Sequence, residues 1–150
     1  MSAEPGIVDA NVLVYAMDAD ARHHEAARAL LATALDSSTT LYVTSQILCE
    51  FYSVVTNARR VPKPRSSDDA LRAISDLLVF LYVLPIPAHA VEGWLDLLRR
   101  HPVVGGDVFD LQIVATMLAN GVQRIYTFNT DDFEMFPELA VVTPKRFSAP

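Results

Sequence analysis

Three acidic side chains stand where an ionised carboxylate is costly. Asp9 interrupts the apolar stretch I-V-D-A-N-V-L-V directly after a first short apolar run. Glu50 lies three residues after Ile47 and four before Val54, on the apolar stripe of its helix and not opposite it. Asp110 falls inside V-F-D-L-Q-I-V-A, a segment that is apolar nearly all round. No Lys or Arg lies within three residues of any of them. Burying an unpaired carboxylate costs several kcal/mol, or else the group takes up a proton. The economical resolution is that the three converge on one divalent cation. These segments offer carboxylates and amides, with no histidine and no paired cysteine, and hard oxygen donors select magnesium or manganese over zinc. An ion held in this way orients a phosphate, neutralises developing charge and lowers the pKa of an attacking water.

Each acid taken alone has a plainer reading. Asp9 caps the turn after its strand, Glu50 reaches solvent by its rotamer, and Asp110 sits in the first turn of a helix, where the macrodipole favours an acid. Three such acids together, each at a strand end or on a helix leaving one, make the joint plain reading weak. A fourth cluster, Y-T-F-N-T-D-D-F at 126–133, follows another apolar run. Thr127 and Asn129 are close enough to that strand to reach the same crevice, whereas Asp131 and Asp132 read as turn residues.

The elements that must position these groups alternate. Short apolar runs at 6–8, 41–43, 81–85, 124–127 and 140–142 predict strands. Helical periodicity predicts helices over 23–35, 45–58, 69–82, 90–100 and 108–121. Asp107 is a candidate N-cap for the last helix, and Gly121 stands where a C′ glycine belongs. Strands alternating with helices imply parallel strands with crossovers, an α/β domain of three layers. Such folds bind ligands at the carboxyl ends of their strands, near the point where the strand order reverses.

Composition bounds the rest. At 150 residues, 51% hydrophobic and 20% charged, the chain reads as one folded domain over 1–150. A net charge of −6 argues against holding nucleic acid by bulk positive charge, though not against a nuclease with local carboxylates. The lone cysteine, Cys49, excludes a disulfide scaffold and reads as buried and reduced. The N-terminal residues lack a basic region before an apolar core, and the longest apolar run, 77–88, falls short of the roughly twenty residues of a membrane span. The expectation is a cytoplasmic protein that does not contact membranes. No Gly-rich phosphate loop is present, which excludes an NTPase.

Four segments in order resemble a PIN domain, of the kind found in the VapC-type ribonuclease toxins of bacterial toxin–antitoxin pairs. They are I-V-D-A-N-V-L-V-Y-A at 7–16, T-S-Q-I-L-C-E-F-Y-S-V-V-T-N at 44–57, F-D-L-Q-I-V-A-T-M at 109–117 and I-Y-T-F-N-T-D-D-F-E-M-F-P at 125–137, closed by V-V-T-P at 141–144. The resemblance implies a central parallel sheet of strand order 3-2-1-4-5 with helices on both faces. It also implies a metal-dependent endoribonuclease that leaves a 3′-hydroxyl and a 5′-phosphate, with Mg²⁺ or Mn²⁺ as cofactor. Asp9, Glu50 and Asp110 match the family's three acids. The fourth polar position falls on Asn129, where many members have Asp, and Asp107 is the alternative source of a fourth carboxylate. Asn11, Ser45 and Thr127 match polar positions that support the pocket. The partners implied are an RNA substrate, a cognate antitoxin whose tail covers the groove, and a second copy in a homodimer formed through helices. Phe51, Tyr52, Trp94 and the run 77–86 offer apolar surface for such contacts.

Four of the twelve basic residues, Arg59, Arg60, Lys63 and Arg65, cluster after the Glu50 helix and suit phosphate contacts beside the site. Arg99-Arg100 and Lys145-Arg146 are smaller candidates. His23, His24, His89 and His101 lie outside the resembling motifs and receive no chemistry. The alternative function is a catalytically weak PIN-like module that acts by binding RNA or a protein. A phospho-acceptor receiver domain is set aside, because Asp9 has no adjacent acid.

Overall fold

Two apolar strands with both faces buried form the centre of the structure, a computed structural model that describes residues 3–147. Strand β1, Gly6–Val8, and strand β4, Arg124–Tyr126, pair in parallel with Ile7 opposite Ile125 and Val8 opposite Tyr126. Strand β2, Leu41–Val43, lies on the other side of β1, followed by the short edge strand β3, Tyr82–Val83. Strand β5, Ala140–Val142, closes the opposite edge. The order is β3-β2-β1-β4-β5 with every pair parallel, as the resemblance implied.

Helices α1, Ala10–Ala16, and α2, His24–Leu35, connect β1 to β2; α3, Ser45–Val55, and α4, Ser67–Leu77, connect β2 to β3. Helices α5, Ala90–Arg100, and α6, Val108–Ala119, return the chain across the sheet to β4. Right-handed crossovers running in opposite directions put the first four helices on one face and the last two on the other. This is the three-layer α/β architecture expected.

Helix α1 was not anticipated. Its residues belong to none of the predicted elements, but Asp9 adopts an extended backbone (φ −71°, ψ 155°) and starts a helix whose Ala10, Val12, Leu13 and Ala16 are buried. Helix α3 begins at a true cap, with Thr44 Oγ1 accepting from the Ile47 amide at 3.2 Å. Helix α4 begins at Ser67, after Ser66 accepts from the Asp69 amide at 3.1 Å, and ends at Leu77, short of the predicted 82. Gly121 takes the left-handed φ of 70° expected after α6. Asp107 precedes α6 as predicted, but its side chain makes no cap bond. Its backbone is already helical (φ −64°, ψ −18°), which denies the carboxylate the extended geometry a cap requires.

Two apolar expectations are also corrected. Cys49 is exposed, because it faces away from the buried Ile47, Phe51 and Val55 row of α3. Phe51 is wholly buried and so not free for a partner, and Trp94 is partly buried against the core; Tyr52, Val79 and Tyr82 remain exposed.

Candidate active site

The strand order reverses between β1 and β4, and the crevice opens at their carboxyl ends. Asp9 follows β1 and Thr127 follows β4, so the register that pairs Val8 with Tyr126 sets these two side by side. Thr127 Oγ1 donates to Asp9 Oδ2 at 2.8 Å, and Asn11 Nδ2 donates to the same oxygen at 3.2 Å. Asp9 Oδ1 accepts from the Ala10 amide at 2.8 Å. Asn11 also donates to Thr127 Oγ1 at 3.0 Å and accepts from the Phe128 amide at 3.1 Å, while the Asn129 amide donates to Thr127 Oγ1 at 3.0 Å. Asp9 therefore caps α1, as its plain reading has it, and also lines the crevice.

A cavity of about 640 Å³ brings together Asp9, Glu50, Asp110, Asn129 and Asp132. Asp9 is the one buried acid, 8% exposed; Asp110 is half-buried and Glu50 is exposed on the cavity wall. Burial of Glu50 was thus overestimated. The apolar stripe of α3 divides into a buried row and an adjacent row, Glu50 and Val54, that lines the cavity.

Electrostatics tie the acids together. Burial pushes the Asp9 carboxyl up, although Thr127, Ala10 and Asn11 hydrogen bonds oppose it, and Asp132 adds to the rise. Glu50 is pushed up by desolvation and then by Asp9, with Arg60 acting against the shift. Asp110 is pushed to about 7, first by desolvation and then by Asp132, Asp9, Glu50 and Asp107. Carboxyls that raise one another's pKa across a shared cavity are short of positive charge.

Asp132 is the acid that sequence reasoning missed. It read as a turn residue, and the 3₁₀ turn Thr130–Asp132 is real, but the turn is anchored by the fully buried Phe133 and brings Asp132 onto the cavity. The one available signal was an acid immediately before a core aromatic, in a segment returning from β4. Asp107 is exposed and does not line the cavity. Ser45 is exposed at the first position of α3 and also lies outside it; the buried Thr44 beside it serves the helix instead.

Of the basic cluster, Arg60, Lys63 and Arg65 line the cavity, and Arg59 does not. Arg65 donates to the Met17 carbonyl at 3.2 Å, and Lys63 lies 3.9 Å from Asp20. The donor set suits a hard divalent ion: oxygens only, excess negative charge, and room for water. Among the described residues no three acids stand close enough to form a ready-made ligand cage. Magnesium does not demand one, since it binds through one or two carboxylates and keeps several waters.

A parallel five-stranded sheet with carboxylates gathered at its switch point defines a class. The family model described as PIN domain matches residues 6–139, and the chain belongs to the PIN-domain family. Within it, the chain is 42% identical over 116 residues to ribonuclease VapC43 of Mycobacterium tuberculosis, covering 75% of this chain and 78% of the relative. Among solved structures, M. tuberculosis VapC20, a toxin that cleaves the sarcin-ricin loop, superposes with a TM-score of 0.67 at 19% identity over 89% of this chain and 95% of that one. VapBC2 of Rickettsia felis, bound to a fragment of promoter DNA, gives a TM-score of 0.67 at 19% identity over 94% and 98%. At such identities the structures speak for the fold alone. No helix among the described residues is long and apolar enough to cross a membrane.

Proposed function

We propose that this protein is a divalent-metal-dependent endoribonuclease, the toxin of a toxin–antitoxin pair, acting in the cytoplasm as a single PIN-like domain. The observation that carries the proposal is the meeting of Asp9, Glu50, Asp110 and Asp132 on one cavity at the sheet's switch point. Asp9, Glu50 and Asp110 are the catalytic set. Asp132, with the Asn129 amide beside it, supplies the fourth polar group in place of Asp107. These side chains would hold a magnesium or manganese ion, which when bound supplies charge neutralisation and an activated water.

The chain's own contributions follow from the geometry. Asn11 and Thr127 fix Asp9 by donating to Oδ2, so its remaining lone pairs face a constant direction. Arg60 and Lys63 stand on the cavity wall where a scissile phosphate's neighbours would pass, a contact that positions RNA without reading its sequence. The relatives' names include ribonuclease and VapBC, and they support both an RNA substrate and an antitoxin partner for this chain. Exposed Val79, Val104 and Phe109 support contact with a second copy or the antitoxin.

The test is incubation of the purified protein with structured RNAs in magnesium or manganese, with and without chelator. Folded Asp9→Asn and Asp110→Asn variants run alongside, with circular dichroism to check folding. Metal-dependent cleavage that both variants lose supports the proposal. The second reading, a weak PIN-like binding module, is favoured by the amide at Asn129 and by the lack of a preformed three-acid cage. It becomes the conclusion if the folded wild type cuts none of the RNAs.

A further inference from the structure

Beside the carboxylate cavity stands a group of three rings, of which Tyr15 and Phe128 also pack against the core. His23 lies parallel on Phe128, with ring centroids 4.4 Å apart and planes inclined by 8°. Tyr15 meets both edge-on, 5.1 Å from His23 and 5.2 Å from Phe128. Those nearly equal distances put Tyr15 across the flank of the pair, so it covers neither outer face of the stack. All three rings are partly exposed. Tyr15 itself lines the cavity that holds Asp9 and Asp110, and Phe128 follows directly on Thr127, so the stack is continuous with the site.

The residue at position 23 is not chosen for its helix. It occupies the N-cap of α2, where Ser, Thr, Asp or Asn would satisfy a free amide, and it makes no cap hydrogen bond. Two cations belong to its surroundings: Arg22 precedes it in sequence, and Lys145 lies on the 3₁₀ turn Pro144–Phe147, which packs against α2. Arg22 and Lys145 both act on His23 electrostatically, and neither forms a salt bridge among the described residues. In a chain of net charge −6, two cations without a salt bridge near a partly exposed ring stack are unusual company. With burial acting first and the cations second, the imidazole is held below its usual range.

The geometry points to a nucleotide subsite: a base of single-stranded RNA extends the partly exposed His23–Phe128 stack, while Arg22 and Lys145 contact the adjoining phosphates. Rings with a free face accept any base, and cations beside them track the backbone. Arg60 and Lys63 stand on the cavity wall, so the strand would cross the carboxylates between two cationic footholds. The inference rests on the ribonuclease reading and assigns His23 a positioning role, since it does not touch the acids.

The test measures binding of a short fluorescein-labelled single-stranded RNA of mixed sequence by anisotropy, in calcium, to the full chain and its variants. His23→Ala should weaken binding roughly five- to tenfold. His23→Phe keeps a ring and should restore affinity, which a loss of imidazole chemistry would not allow. Arg22→Ala and Lys145→Ala should each reduce the salt dependence of binding by close to one phosphate contact. In cleavage assays with magnesium, His23→Ala should raise KM with kcat little changed. Unaltered RNA affinity in folded His23→Ala overturns the subsite and leaves the ribonuclease reading intact. No RNA binding by the wild type overturns both.

Discussion

Asp110 is the side chain on which pH acts most strongly. Its carboxyl titrates near 7 in the folded chain against 3.8 when unconstrained. Between those values the folded state keeps a proton that the unfolded state has lost, so stability falls as pH rises. The contribution is complete below about pH 4 and gone once pH passes through 7. The melting temperature of the chelated protein should therefore drop across that range, and Asp110→Asn should flatten the drop and raise the melting temperature at neutral pH. Calorimetry at a series of pH values decides; an equal slope in the variant would remove Asp110 as its source. Saturating magnesium should restore stability to the wild type at neutral pH, by about 2.7 kcal/mol at a hundredfold excess over Kd. Asp9 titrates in the same direction, restrained by its donors. Thr127→Val deletes the 2.8 Å bond to Asp9, costs about 1–3 kcal/mol and should move the acid limb of the kcat/KM profile to higher pH. Thr127→Ser should leave the limb in place.

At the scale of elements, the caps and close approaches that hold the acids carry the cost. Thr44 starts α3, the helix that presents Glu50. Thr44→Ala should cost about 1 kcal/mol, or roughly 2–4 °C in melting temperature. Ser45→Ala next to it, at an exposed position without a cap bond, should change stability by less than about 0.5 kcal/mol and leave cleavage unaltered. A large loss of activity in Ser45→Ala would return that residue to the site. Gly6 marks a different constraint: a Cβ there would meet the Arg124 carbonyl oxygen at 2.9 Å and the Tyr126 ring at 3.0 Å. Since β1 and β4 place Asp9 beside Thr127, Gly6→Ala should lower both the denaturation midpoint and activity. Activity falling alone, with the midpoint kept, would mean that the strands do not resist the methyl group.

For the molecule as a whole, an acidic protein must hold a polyanion by local charge. With Arg60, Lys63 and Arg65 on the cavity wall and Arg22 and Lys145 at the proposed subsite, the logarithm of RNA affinity should fall with the logarithm of salt at a slope near −3.5, about 0.7 per contact with single-stranded RNA. Arg60→Ala with Lys63→Ala should flatten that slope and weaken all RNA sequences alike, whereas Arg59→Ala, outside the cavity, should do neither. Titration by anisotropy at several salt concentrations measures it. A slope unchanged by the double substitution would place the strand elsewhere.

Periodicity is local, and what depends on it was readable from the residues: alternating strands and helices, the cap at Gly121, and three acids at odds with their apolar surroundings. Resemblance added the strand order. Pairing and convergence are not local. That Asp9 sits beside Thr127, a residue 118 positions away, follows from the pairing of β1 with β4 and is not written in either segment. Asp132 looked like any turn acid because its role comes from Phe133 being buried in a core that the segment alone does not reveal. Asp107 and Ser45 matched by position but are exposed and do not line the cavity, since a residue's place along the chain does not say which surface its side chain meets. Sequence chose which groups face apolar surroundings; only the folded sheet, by setting β1 against β4, decided which of them share one cavity.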